Sequence, residues 1–120
     1  MANAPRRNRR IPRPGLYANQ RLVLCTPEEL RNLFREARIL QRERQGQLTK
    51  TVEKRGEFNV QLDGEPESVR TVITVFRTLQ NSEVARTHHY ERRDGSIAAS
   101  GELDPKRLMW NGALHYVESH

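Results

Sequence analysis

Thr26-Pro27-Glu28-Glu29 is the stretch that most narrows what this 120-residue chain can become. A threonine at the N-cap accepts a backbone N–H three residues on, and a glutamate at that third position bonds back to the cap. Proline suits the first helical residue, where its missing N–H costs nothing. Acids in the first turn also complement the helix dipole. Leu30, Leu33, Phe34, Ala37 and Leu40 then recur at helical spacing. Arg42 and Arg44 precede Gly46, a natural stop. The pattern predicts one amphipathic helix over 27–45, which needs a partner layer to bury its stripe.

Strands supply that layer. Arg21 to Cys25 is a short apolar run, and Phe58, Val60 and Leu62 alternate with Glu57, Asn59 and Gln61 as in a half-buried strand. Asp63-Gly64-Glu65-Pro66 is a turn. Residues 68–79 carry two signals. Val69, Val72, Ile73, Phe76 and Leu79 fit a helical stripe, yet seven β-branched residues between Val69 and Thr78 stiffen the chain toward extended structure. Strand is the expectation, with both faces apolar.

Turn chemistry divides the remainder. Gln80-Asn81-Ser82 is one turn, and Asp94-Gly95 and Asn111-Gly112 suit two-residue type I′ hairpins. The first hairpin would pair Arg93 with Ser96, Arg92 with Ile97 and Tyr90 with Ala99. The second would pair Trp110 with Ala113, Met109 with Leu114 and Leu108 with His115. The expected fold is α+β, with one N-terminal helix on an antiparallel meander of about five strands. Residues 16–120 form this single domain, and no internal repeat is visible.

A different kind of chain precedes it. Residues 1–15 hold Arg6, Arg7, Arg9, Arg10 and Arg13, no acid, and prolines at 5, 12 and 14. Such a segment is expected to be disordered or extended when free. Five of the 21 basic residues lie here, leaving 16 Lys plus Arg against 15 acids in the rest. The net charge of +6 therefore sits almost wholly in the arm, and the domain is near neutral. An arm of this kind meets nucleic-acid phosphates or an acidic protein surface. Its plainer reading is a solubilising tail.

Arg31, Arg35, Arg38 and Arg42 follow spacings of four, three and four, and would share one ridge of the helix. Such a ridge can track a nucleic-acid backbone, although Glu28, Glu29, Glu36 and Glu43 partly neutralise it into an ordinary solvated face.

Thr87 to Ser96, T-H-H-Y-E-R-R-D-G-S, concentrates the chemistry-bearing side chains. RNA cleavage by its own 2′-OH needs a base near neutral pKa, an acid and cations for the phosphorane. His88 or His89, His115, Tyr90, and Arg86 or Arg92 are the residue types for those roles. A helix followed by an antiparallel sheet resembles, in architecture alone, the small ribonuclease toxins of bacterial toxin–antitoxin systems. Adjacent histidines on a strand face opposite ways, so at most one joins His115. A hairpin rim with His, Glu and Arg outward is the simpler reading. Tyr90, Trp110 and Tyr116 are also candidates for a base-stacking platform, with Trp110 hard to bury fully beside its turn.

Other classes close. Cys25 is the sole cysteine, which rules out an internal disulfide and a thiolate zinc site, and its apolar setting reads as core. No carboxylate–histidine spacing marks a metal site, and no phosphate-binding glycine motif or nucleophile elbow occurs. No cofactor is expected. No apolar run spans a membrane, and the N-terminus lacks a secretory signal, so a cytoplasmic location is the default. The leading expectation is a non-enzymatic nucleic-acid-binding protein. A protein-interaction module or a metal-independent ribonuclease is the alternative.

Overall fold

The computed structural model describes residues 21–118. The five arginines of the arm and His120 lie outside them. The capping box forms as the sequence predicts. Thr26 Oγ1 accepts the Glu29 N–H at 3.1 Å, and Glu29 Oε1 accepts the Thr26 N–H at 2.8 Å. The helix that follows is not one rod over 27–45. It divides into α1 (Pro27–Glu36) and α2 (Ile39–Arg44), separated by Arg38 at φ 55 and ψ 42. One left-handed residue redirects the chain and changes the helical phase. Ile39 is thus 1% exposed, while Leu40, the expected core residue, is 39% exposed. The same break removes the continuous arginine ridge, since Arg38 and Arg42 follow a different axis from Arg31 and Arg35.

The sheet has six strands rather than five: β1 (Arg21–Leu24), β2 (Leu48–Arg55), β3 (Arg70–Thr78), β4 (Glu83–Glu91), β5 (Asp104–Trp110) and β6 (Ala113–Tyr116). Their order is β1-β6-β5-β4-β3-β2. All neighbours are antiparallel except β1 and β6, which run parallel with Leu22 opposite Leu114 and Leu24 opposite Tyr116. The expected all-antiparallel meander is corrected at that edge. Turn residues specify only strands adjacent in the chain, and this pairing joins the first strand to the last.

Residues 68–79 resolve in favour of extended structure, as β3, paired on both sides. The expected strand at Phe58–Leu62 does not form. That segment is a loop with one isolated bridge, Val60 to Val69. Phe58 lies against two guanidinium groups, Arg70 at 4.5 Å and Arg93 at 4.7 Å from its ring centre. The strand that escaped the sequence pattern is β2, at the opposite edge from β1. Its Lys50, Glu53, Lys54 and Arg55 are mostly exposed, so no apolar period marks it. Charges and a bulge between Val52 and Lys54 protect this edge from further pairing.

Asn111-Gly112 forms the predicted hairpin, with φ of 51 and 76 and the expected register. Asp94-Gly95 does not form a two-residue turn. Only Gly95 has a positive φ, the Arg92 N–H bonds Ser96 O, and Glu91 pairs with Ile97. The loop is three residues closed by a left-handed glycine, so Ile97 moves one position from its expected partner, Arg92. The Ala98 N–H, not that of Ala99, bonds Tyr90 O.

The core lies between the helices and one side of the sheet. α1 packs on β5 and α2 on β2. Leu30, Phe34 and Ile39 meet Phe76, Ala85 and Leu108, with Phe34 and Phe76 edge to face at 6.1 Å. Each such side chain contributes about 1.5–3 kcal/mol by leaving water. Trp110 is half-buried against this core, as a residue beside a turn tip that is hard to bury fully. Thr26→Ala removes one capping bond and is expected to cost about 1 kcal/mol, which Thr26→Asp should largely restore. Gly112→Ala places a side chain in a left-handed turn and should cost about 1 kcal/mol or more. Urea denaturation of the three variants checks both values.

Candidate functional site

Cross-strand register defines the face of the sheet away from the helices. Leu24, Tyr116, Arg107, Arg86, Val75 and Thr51 form one row across all six strands. Along this face the arginines are tied to glutamates. Arg86 bonds Glu53 and lies 3.4 Å from Glu83, while Arg77 is 3.6 Å from Glu53 and Arg107 is 3.2 Å from Glu83. Three guanidinium groups and two carboxylates thus link β2, β3, β4 and β5. The Arg86 guanidinium, aided by Arg77 and Arg107, holds the Glu53 carboxyl below its ordinary range. No local pattern marks this cluster, because every pair but Glu83–Arg86 joins residues distant in the chain. Toward β1 the face turns apolar, with Leu22 41% and Leu24 58% exposed.

Strand alternation settles how the histidines are disposed. His88 follows Arg86 on this second face, and its ring meets Tyr90 edge-on at 4.7 Å. His89 lies on the helix side, opposite Val72, with its Nδ1 buried and without a hydrogen-bond partner. His115 is also on the helix side, paired with Leu108, which pairs with Ala85. His89 rather than His88 therefore shares a side with His115. Four residues along β4 and two strands across still part them by on the order of 15 Å. The three histidines occupy three separate environments, and no acid–base pair arises among them. Among the described residues no three His, Cys, Asp or Glu side chains group as a metal site.

Arg92 and Tyr90 are likewise accounted for by structure. Arg92 makes a two-pronged contact with Glu65, at 2.9 and 3.0 Å, and also bonds Ser96 Oγ and Ile97 O. It clamps the 56–69 loop to the turn at Asp94-Gly95. Its guanidinium pulls the Glu65 carboxyl down, and the Ser96 donors do the same for Asp94. Tyr90 and Tyr116 share the second face on the order of 15 Å apart, while Trp110 packs on the other side, so the three rings form no single platform.

On the helices, Arg31 lies 3.6 Å from Asp104, and Arg35 bonds Asn32 and Glu102. Arg38 bonds Gln41, and Arg42 bonds the Ala37 carbonyl. These exposed contacts each contribute little and exchange readily for a ligand.

One pairing went unnoticed in the sequence. Cys25 Sγ is 3.9 Å from His115 Nδ1, and His115 Nε2 is 3.2 Å from the Trp110 carbonyl. The carbonyl can only accept, so it takes the Nε2–H and leaves Nδ1 facing the thiol. This has the outline of an activated cysteine. Burial, with Glu29 nearby, nevertheless pushes the thiol upward in pKa, so the sulfur stays protonated and acts as core.

His88 and His89 are both held below the ordinary imidazole value of 6.5, chiefly by burial. The unfolded chain therefore takes up these protons first as pH falls. Their contribution to stability is complete above about pH 6.5 and is lost as pH drops toward the folded-state values. The melting temperature should decline from about pH 7.5 to about pH 5.5, and His88→Gln/His89→Gln should flatten the decline. An unchanged slope in the double variant would disprove this assignment. Glu53 adds a separate loss at more acidic pH, below its ordinary 4.5.

Comparison with known proteins finds no matching family model, no matching curated protein and no matching solved structure.

Proposed function

We propose that this chain is a non-enzymatic binding protein whose N-terminal arm contacts nucleic-acid phosphates. The observation that carries the reading is the separation of charge. Arg6, Arg7, Arg9, Arg10 and Arg13 stand without an acid, while the rest of the chain holds 16 basic residues against 15 acidic ones. Internal pairing of Arg77, Arg86 and Arg107 with Glu53 and Glu83 strengthens the contrast, because those cations are already engaged. The arm leads into the edge strand β1, whose first residue, Arg21, lies opposite Ala113, three residues along the neighbouring strand from Tyr116. In this reading the arm provides affinity, and Tyr90 and Tyr116 offer stacking contacts to unpaired bases. Binding is favoured over cleavage because His88, His89 and His115 are dispersed.

No helix among the described residues is long and apolar enough to cross a membrane.

Salt titration of binding to single-stranded RNA and to duplex DNA is the direct test. Deleting residues 2–14 should weaken binding and lower the slope of log K against log salt by about 3.5 for the single strand and about 4.5 for the duplex. Absence of binding by the full chain at about 50 mM salt would end the proposal. Incubation with RNA should yield no cleavage that His88→Ala, His89→Ala or His115→Ala abolishes.

A further inference from the structure

The break at Arg38 leaves a groove that the proposed nucleic-acid contact does not use. A hollow of about 300 Å³ opens between α1 and the 97–105 segment, floored by Phe34, Ile97, Leu103 and Pro105. It continues into a second hollow of about 380 Å³ along α2, and the two share Phe34, Arg35 and Leu40. Leu40 is a large apolar side chain 39% exposed at this junction. A polar side chain would serve as well there if the site only faced water.

The banks of the groove differ in charge. Arg31, Arg35 and Arg38 line the helical bank; Glu102 answers Arg35 from the other, Asp104 pairs with Arg31, and Arg38 meets only the neutral Gln41. The surplus is positive, even though the whole described domain is nearly neutral. Arg35 and Glu102 are both well exposed at 3.3 Å, so their contact is weak and open to competition. Arg31 and Arg35 stand about 6 Å apart along α1 and Arg38 lies beyond its end on a new axis, so the bank is longer than one small anion reaches. An extended peptide covers such a length in a few residues.

We propose that this groove binds an acidic peptide segment of a partner protein, with a large apolar side chain seated at Leu40 and flanking carboxylates on Arg35 and Arg38. The apolar floor gives the anchor, and the charged bank sets which peptides are accepted. The site is independent of the arm, so its success or failure leaves the nucleic-acid proposal untouched.

A randomised peptide library displayed on phage, selected against the full chain, provides the test. Enriched peptides should carry at least two acids flanking a Leu, Ile, Phe or Trp. Synthetic copies should bind the parent and the 2–14 deletion equally, and Leu40→Ser and Arg35→Glu/Arg38→Glu about tenfold more weakly. Arg35→Gln should give an intermediate loss, and melting curves establish that each variant is folded. Three results would overturn the proposal: no enriched peptide, enrichment without acids, or binding that survives the groove variants. Binding lost with the 2–14 deletion alone would overturn it too, by assigning acid recognition to the arm.

Discussion

The left-handed residue at Arg38 is what lets so few helical residues serve so wide a sheet. Six strands at about 4.8 Å spacing span roughly 24 Å, whereas a helix is about 10 Å across. A straight rod over 27–44 would cover one band and leave the remaining core side chains in water. Breaking it places α1 on β5 and α2 on β2, with Phe34 and Ile39 closing over Phe76 from either side of the bend. The backbone conformation carries a cost of about 1–2 kcal/mol. Burying Ile39 in place of the half-exposed Leu40 offsets an amount of the same size. The exposed Leu40 and the bend of the arginine bank are consequences of that one dihedral choice.

A second consequence concerns the face away from the helices. Its central row cannot be wholly apolar without inviting association, and it cannot be wholly cationic without self-repulsion. Alternating Arg77, Glu53, Arg86, Glu83 and Arg107 across four strands meets both demands. Such linked pairs hold one another in place better than isolated surface pairs, because each glutamate serves two arginines. The arrangement also leaves little unengaged positive charge on that face. A polyanion approaching the domain would have to displace existing partners there.

Much of this was legible in the residues, and the failures share a cause. Local stereochemistry identified the Thr26 capping box, the extended 70–78 segment and the Asn111-Gly112 hairpin with its register. Each depends on neighbours within a few positions. The helix break was hidden because Ala37-Arg38-Ile39 contains no glycine or proline, and only the width of the sheet makes the bend worthwhile. β2 was missed because an edge strand with charged side chains lacks apolar alternation, while Phe58, Val60 and Leu62 mimicked it in a loop. Phe58 is half-covered by arginine stacking rather than by a sheet partner, a distinction that periodicity does not encode. The β1–β6 pairing and the glutamate–arginine network join residues tens of positions apart, where no local signal exists. For the histidines the sequence posed the right question, since alternation alone separates His88 from His89, but only the register shows how far His115 lies from either.

The two proposed modes of recognising negative charge rest on two physical settings. In the arm the arginines stand free of acids, so their interaction with a polyanion draws mainly on counterion release and falls steeply with salt. In the groove the arginines are held on a helix beside an apolar floor, and each already has a weak partner to surrender. Charge there contributes less to affinity than to choice, because a neutral peptide would leave Glu102 paired but gain nothing from Arg38. The apolar anchor at Leu40 makes the larger contribution, and it is insensitive to screening. A ligand with dense charge and little apolar surface favours the arm, and one with sparse acids around a large side chain favours the groove. In the proposed readings the same residue type, arginine, selects different partners according to whether acids and an apolar floor lie beside it.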